Sequence, residues 1–579
     1  MGSITAPEVR VCDVLIVGGG PVGLVTALQL AKFGGVSVSI IEKHSKSSQD
    51  QYGRAITLYP RSTEMLDQLG LADELAQECF ACRDTVSYDP NGTEVAGRGW
   101  AFMEDMKDTQ WDFALVLRQK YQEEIFRRRL AELGVGLQAP VELVEIQVSE
   151  AMPEDGYRIH ATVKDGSTGQ ISIVKCKYLI GADGGRSFVR RTLSVPFDGE
   201  STEDKWVRID GIIETDMPKN RVYGAIESPT HGNVLWAALD HGATRIGFAF
   251  TAERQKGYAE FNEAAAVAEA IESVKPFKLS FKQVDWFTVY AVGQRIARNF
   301  FVRDCVFLAG DACHTHSSGA AQGMNTGMHD SVNLAWKLSL VLRGYADPSL
   351  LHTYEAERLP NVQKLINYDK DISRLMTMQL PLGWKGDANT DPNEILGVVM
   401  AEAATFTTGL GISYDRNQLN VGELDKSKAV SPGQRGPDVK LQKPGTFEST
   451  RLHRETPNEA RFYVAVFAGL PIHTSSSVQA LSHRMTSSKL FSSSAPLPIS
   501  WLTIPAARSA SAFELLGAAP LGKVFYDSDQ SAHARYGIDV SRGGVVILRP
   551  DGWVGGMLEL GDETGDELEM YFNSFLTLK

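Results

Sequence analysis

The stretch VCDVLIVGGGPVGLVTALQLAKFGGVSVSIIEK, residues 11–43, narrows the fold of this chain more than any other. Val14 to Val17 form a short aliphatic, β-branched run suited to a buried parallel strand. Gly18, Gly20 and Gly23 spell GxGxxG where that run stops, and Leu24, Ala27, Leu28 and Ala31 follow at helical spacing. VSVSII predicts a second strand, closing on Glu42 nineteen residues after Gly23. Each position has a physical task at a dinucleotide. The first glycine makes a tight turn, and the second lets backbone N–H groups approach a pyrophosphate. The third lets helix and strand pack closely, and the acid accepts hydrogen bonds from a ribose. A bare GxGxxG is weak evidence, but here strand, helix, second strand and terminal acid agree.

Two further strand–Asp elements separate a flavin dinucleotide from a nicotinamide one. KYLIGADGGRSFVRRTL delivers Asp183 after a strand-like run, with Arg186, Ser187 and Arg190 at the start of a helix. DCVFLAGDACH ends its apolar run Val306 to Ala309 at Asp311, whose carboxylate can accept from sugar-alcohol hydroxyls. That suits the ribityl chain of FAD, which NAD lacks. Beyond it, Gly323, Met324 and Asn325 open a helix running through DSVNLAWKL, with Val332, Ala335, Trp336 and Ser339 on one face. A helix start offers unpaired N–H donors and partial positive charge, here for the N1–C2=O edge of a flavin. The rival reading of this loop is a metal site. Cys313, His314 and His316 are competent ligands, but their spacings of one and two are tighter than structural zinc sites use, so no metal is expected.

Size and charge exclude other classes. A chain of 579 residues exceeds one core and predicts two or three domains. A net charge of -13 gives no basic footprint for nucleic acid or anionic lipid. Six scattered cysteines fit a reducing compartment, and the CxxC of Cys79 and Cys82 has no second pair. With no signal-peptide layout and no apolar run of membrane-spanning length, a cytoplasmic protein is expected.

Together, GxGxxG…E, GRA at 53–55, Arg118–Gln119, DGGRSFVR and GDACHTHSSGAAQGMNTG resemble the class A flavoprotein aromatic hydroxylases, most nearly the fungal phenol 2-monooxygenase branch. TFTTGLGISYD at 405–415 and the C-terminal part extend the resemblance along the whole chain. It implies FAD as cofactor, NADPH (or NADH) as transient reductant, and O2 and a small aromatic as substrates, reacting through a flavin C4a-hydroperoxide. It implies Gly18, Gly20, Gly23 and Glu42 at the ADP half, and Arg54 at the pyrophosphate or the moving flavin. Arg118 and Gln119 fall at the ribityl side, Asp183 at FAD and the nicotinamide site, Asp311 at the ribityl chain, and Gly323, Met324 and Asn325 at the isoalloxazine. Two positions depart from the pattern. Ser318 stands where such enzymes commonly carry Pro, and Ile56 where phenol hydroxylases carry the Asp that helps deprotonate phenol. Tyr290 becomes the candidate for a hydrogen bond to the substrate hydroxyl, and a substrate more acidic or electron-rich than phenol is expected. Baeyer–Villiger, epoxidising or dearomatising chemistry stays open on the same scaffold. A halogenase lacks its WxWxIP signature here, and a non-enzymatic FAD scaffold is the rival from another class.

The expected fold class is α/β. A discontinuous FAD-binding domain (1–85, 115–190, 290–370) is interleaved with a substrate-binding sheet (86–114, 191–289). A helical segment (371–415) and a Pro/Gly linker (416–440) lead to a thioredoxin-like domain (441–579). That domain contains no cysteine, so it is expected to stabilise or to form a homodimer rather than do thiol chemistry. Its strands are read at RFYVAVFAG and in the hairpin GGVVILRPDGWVGG, with Asp551–Gly552 at the turn. TSSSVQALSHRMTSSKLFSSSAPLP, residues 474–498, is read from its serines as a mobile surface segment.

Overall fold

In the computed structural model, the described residues are 8–46, 53, 55–317, 319–422, 424–425, 427–488, 490–491 and 497–577, without the side chains of 105, 202–204 and 292. The strand Glu8–Val17 leads through the glycine turn into the helix Pro21–Phe33 and on to the strand Val38–Ile41. The first strand is longer than its apolar run suggests, because its outer half, though exposed, pairs along Ile171–Gly181. Glu8–Val17 lies parallel to both Val38–Ile41 and Ile171–Gly181, and the latter is parallel to Val306–Leu308. Parallel neighbours bring their C-terminal ends to one edge. The GxGxxG turn, Asp183 and Asp311, far apart in sequence, therefore meet there.

A seven-stranded sheet forms the second layer, in the order His314–Thr315, Leu279–Ala297, Phe197–Thr215, Thr244–Phe250, Gly232–Ala238, Tyr223–Ser228 and Thr85–Tyr88. Its strand Thr244–Phe250, TRIGFAF, is buried throughout. Both faces are covered. Val207, Ile209, Val234 and Phe248 pack on one side with Ala266 and Ala270 of the helix Glu263–Ser273. Trp206, Leu235, Ala237 and Ala249 pack on the other with Ile56, Tyr59 and Met376.

The C-terminal domain holds a five-stranded sheet in the order Lys523–Val524, Ile499–Pro505, Phe462–Gly469, Gly544–Leu548 and Val554–Glu559. A βαβ unit followed by an antiparallel hairpin and the helix Thr564–Asn573 gives the thioredoxin-like arrangement. The Ser-rich stretch corrects its reading, since Pro471–Ser487 is a helix of 17 residues. Thr474, Val478, Leu481 and Met485 form its buried stripe, and that helical spacing outweighs the serines.

The tip of the hairpin is driven into the flavin domain. Trp553 lies under the Arg61 guanidinium, 4.4 Å from its ring centre, and donates to the Ile412 carbonyl at 3.2 Å. Asp551 accepts from Trp336 at 3.0 Å, and Arg549 bridges Asp551 and Glu357. Lys337 adds a 2.8 Å ion pair to Glu357, and Arg435 binds Glu64. These groups are almost fully desolvated. Such charges are tolerable only together, so the two domains depend on each other.

Candidate functional site

The glycines of the first turn have separable tasks. Gly18 sits at φ +116°, and a Cβ there would lie 2.2 Å from the Ala182 carbonyl oxygen. A Cβ on Gly23 would lie 2.0 Å from the Gly18 carbonyl oxygen, so this glycine lets helix and strand meet. A Cβ on Gly20 would meet nothing within 4 Å. That opening lies before the helix Pro21–Phe33, which has no side-chain cap and no acid in its first turn. Glu42 first secures the turn itself, accepting the Gly19 N–H and the His44 N–H, each at 2.9 Å. Each carboxylate oxygen retains a further lone pair for a ribose hydroxyl.

A second helix start converges on the same edge. Gln322–Leu342 is capped by Ala321 in the left-handed region (φ 54°), again with no side-chain cap and no acid in its first turn. Gly310 and Gly327 make the convergence possible, since a Cβ on either would press on Val22 at 2.8 and 2.6 Å. Asp183 takes the Phe188 and Val189 N–H groups on Oδ2, while its buried Oδ1 has no partner. The Asp311 side chain, in the turn after Val306–Leu308, is half-buried and accepts no hydrogen bond from the described residues. Gly323 is open apart from the His316 ring, 3.8 Å from its virtual Cβ, and Met324 is buried beside it. The Asn325 side chain is engaged within the protein. It accepts the Tyr59 N–H at 2.8 Å and donates to the carbonyls of Thr57 and Ala321, so only its backbone is left for a flavin.

The Cys/His loop clusters differently from its sequence spacing. Cys313, His314 and Asp330 bring ligand atoms within 4.8 Å of one another, and His316 is not among them. Each of the three has a protein partner. Asp330 accepts from Arg358 at 2.7 Å, from the Gly310 N–H at 2.9 Å, and bonds His314 at 2.8 Å. Burial alone raises the Asp330 carboxyl, but Arg358 and His314 outweigh it and hold it at about 2. Burial pushes the Cys313 thiol far up, and it donates to the Gly310 carbonyl. A neutral thiol beside a guanidinium is a poor setting for a cation. The reading of this loop as scaffolding for the flavin edge therefore stands as a proposal.

Arg118 is buried and held by two acids the sequence reading missed. Its backbone N–H and Nε donate to Asp240, each at 2.8 Å, and Nη1 donates to Asp285 at 2.6 Å. This pins the flavin domain to the second sheet. Gln119 donates to Glu123 and packs against Gly53, where a Cβ would come 2.7 Å from it. Arg54 and Ser318 lie outside the described residues. Tyr290 sits opposite Trp206 on the inner face of the sheet, packed against the cluster that contains Ile56, Tyr59 and Met376. Asp369, another unforeseen residue, accepts from the Ser317 N–H at 2.7 Å and from Gln294 at 2.8 Å, fixing the loop that precedes the helix.

An FAD fits what these residues offer. The open space at Gly20, two uncapped helix starts at one edge, the orphan Oδ1 of Asp183 and the unengaged Asp311 suit a long dinucleotide carrying hydroxyls and a pyrophosphate. Residues 11–369 match the family model of the FAD binding domain, and 412–579 that of the phenol hydroxylase C-terminal dimerisation domain. The chain belongs to this FAD-binding family, among the class A flavoprotein aromatic hydroxylases, and is an FAD-dependent monooxygenase that uses NAD(P)H. It is similar to 3-hydroxybenzoate 4-monooxygenase of Comamonas testosteroni, 29% identical over 97% of this chain and 94% of that one. Phenol 2-monooxygenase fsqG of Aspergillus fumigatus is 28% identical, over 96% and 95% of the two chains. Among solved structures, the flavin-dependent monooxygenase PieE, bound to FAD and substrate, superposes with a TM-score of 0.72 at 23% identity, covering 98% of this chain and 100% of that one. No helix among the described residues is long and apolar enough to cross a membrane.

Proposed function

We propose that this enzyme hydroxylates an aromatic hydroxyl compound more acidic or more electron-rich than phenol, with O2 as co-substrate, as a cytoplasmic homodimer. The matched dimerisation domain supports the dimer, and six free cysteines suit a reducing compartment. The relatives' named substrates include 3-hydroxybenzoate and phenol. One observation carries the reading. Ala321, the cap of the flavin-side helix, packs against the same apolar cluster as Ile56 and Tyr290, so substrate and flavin edge adjoin there.

Gly18, Gly20, Gly23 and Glu42 would hold the ADP half, Asp183 and Asp311 the sugar hydroxyls, and the N–H groups at Gly323 and Met324 the ring edge. Bound FAD, reduced by NADPH or NADH, supplies the activated oxygen. The chain's own residues do the rest. The wall of Tyr59, Trp206, Leu235 and Met376 excludes water from the reacting pair. Tyr290 fixes the direction of the substrate hydroxyl, and Ile56, apolar and buried, can take no proton from it. The substrate must therefore ionise without a carboxylate at that position.

The test is the ratio of product formed to NADPH consumed in wild type and Tyr290→Phe. Removing one hydrogen bond costs about 1–3 kcal/mol, roughly one to two decades of rate, with the lost equivalents appearing as peroxide. Unchanged coupling would remove Tyr290 from this role, and tightly coupled turnover of plain phenol would refute the substrate class.

A further inference from the structure

The loop between Asp311 and the flavin-side helix is held from behind by one carboxylate. Ser317, only 2% exposed, donates to Asp369 of the helix His352–Met376 through both its hydroxyl and its N–H, the latter at 2.7 Å. Gln294 of the second sheet donates to the same carboxylate at 2.8 Å. Gly319 lets the loop lie against that helix, since a Cβ there would fall 2.7 Å from the Met376 sulfur. These contacts fix the Ser317 carbonyl, which accepts a hydrogen bond from His316 Nδ1 at 2.9 Å.

That bond settles the state of the ring. A carbonyl oxygen only accepts, so Nδ1 carries a proton, and in the neutral imidazole Nε2 is then a bare lone pair. Nε2 is buried and has no partner among the described residues. It borders the start of the helix Gln322–Leu342. A Cβ built on Gly323 would lie 4.0 Å from Nε2 and 3.8 Å from Cε1 of the same ring, and would meet nothing else within 4 Å. An acceptor buried without a donor is costly, and here it faces the one open side of the loop. The lone pair therefore stands beside the free N–H groups of Gly323 and Met324, where the ring edge of a flavin is placed.

We propose that His316 is a cofactor-contacting residue, its Nε2 accepting a hydrogen bond from the bound flavin. This rests on the reading of the helix start at Gly323 as the flavin's ring edge. That edge is mostly acceptor, since N1 and C2=O both seek the N–H groups of the helix. The donors of a flavin are few: N3–H, next to C2=O on the ring, and the hydroxyls of the ribityl chain. One acceptor set among helix donors makes the site selective for how the flavin lies. It rewards a donor at that point and repels a carbonyl. Asp369, acting through Ser317, holds the lone pair in position.

The test is the affinity of the full-length enzyme for FAD and for N3-methyl-FAD, read as flavin fluorescence released on dilution of the loaded protein, with circular dichroism to check the fold. His316→Leu is expected to weaken FAD binding about three- to tenfold, the loss of one neutral hydrogen bond, with the fold unchanged. His316→Gln, whose amide oxygen can reach the place of Nε2, should recover most of that affinity. N3-methyl-FAD locates the donor. The loss in His316→Leu vanishes with this analogue if N3–H makes the bond and persists if a ribityl hydroxyl does, and either result supports the contact. FAD affinity unchanged in His316→Leu, or a loss shared in full by His316→Gln, would overturn the contact and leave the flavin site standing. If His316→Leu does not fold, His316→Asn decides in its place, because it keeps a donor for the Ser317 carbonyl and has no atom at Nε2. Wild type that binds no FAD would overturn the flavin site itself, and His316 with it.

Discussion

The most discriminating substitution in the glycine turn is Gly20→Val, because the fold and the cofactor make opposite demands on that position. In the protein alone a side chain costs little. Gly20 has φ -81° and ψ -178°, an extended conformation open to any residue, and nothing lies within 4 Å of its Cβ. The remaining cost is a poorer helix cap, about 1 kcal/mol. For FAD the change is severe, since the valine would fill the space a pyrophosphate needs. Two N–H groups of the first turn, at Val22 and Gly23, would lose a charged acceptor. At about 1.5–3 kcal/mol for each bond to a charged group, roughly 3–6 kcal/mol of binding is lost, or two to four decades in Kd. Titration of apo-protein with FAD by flavin fluorescence reads this directly, alongside thermal unfolding without FAD. Gly20→Val should unfold near wild type yet purify colourless, whereas Gly23→Val should fail to fold. A yellow Gly20→Val protein with wild-type affinity would refute the placement of the pyrophosphate.

Two further outcomes follow from the buried charges. Glu357→Gln strands Lys337 and Arg549 at the domain seam without their shared carboxylate, and denaturant unfolding should show a loss of about 3–5 kcal/mol; a change below about 1 kcal/mol would show that the seam does not bind the domains. Asp330 is held at about 2 against roughly 3.9 when unfolded, so it stabilises by about 2 kcal/mol above pH 4, and this is lost as pH falls through 2. Acid unfolding followed by circular dichroism should be less steep between pH 4 and 2 in Asp330→Asn, and an identical slope would sink the assignment.

The cofactor end of the site was largely legible in the chain because its chemistry is local. Each strand that ends in a glycine turn or an Asp announces itself within a dozen residues, and the parallel register then brings the three ends together. What was missed depends on pairings across long distances. Nothing near Arg118 points to Asp240 and Asp285, which reach it only when the two sheets are stacked. Nor does the sequence around Asn325 announce that its amide serves the strand Thr57–Leu58. The Ser-rich helix is a different failure. Its stripe at 474, 478, 481 and 485 was present at helical spacing, and composition was allowed to outweigh periodicity.

The central claim is oxygen transfer to an aromatic ring by the FAD-loaded enzyme. The direct measurement is turnover of an acidic phenol with NADPH under 18O2, with the product analysed by mass. The account predicts NADPH consumption stimulated by the phenol, and a product carrying one 18O atom as a new ring hydroxyl. NADPH consumption indifferent to any aromatic, or a product whose new oxygen comes from water, would contradict it.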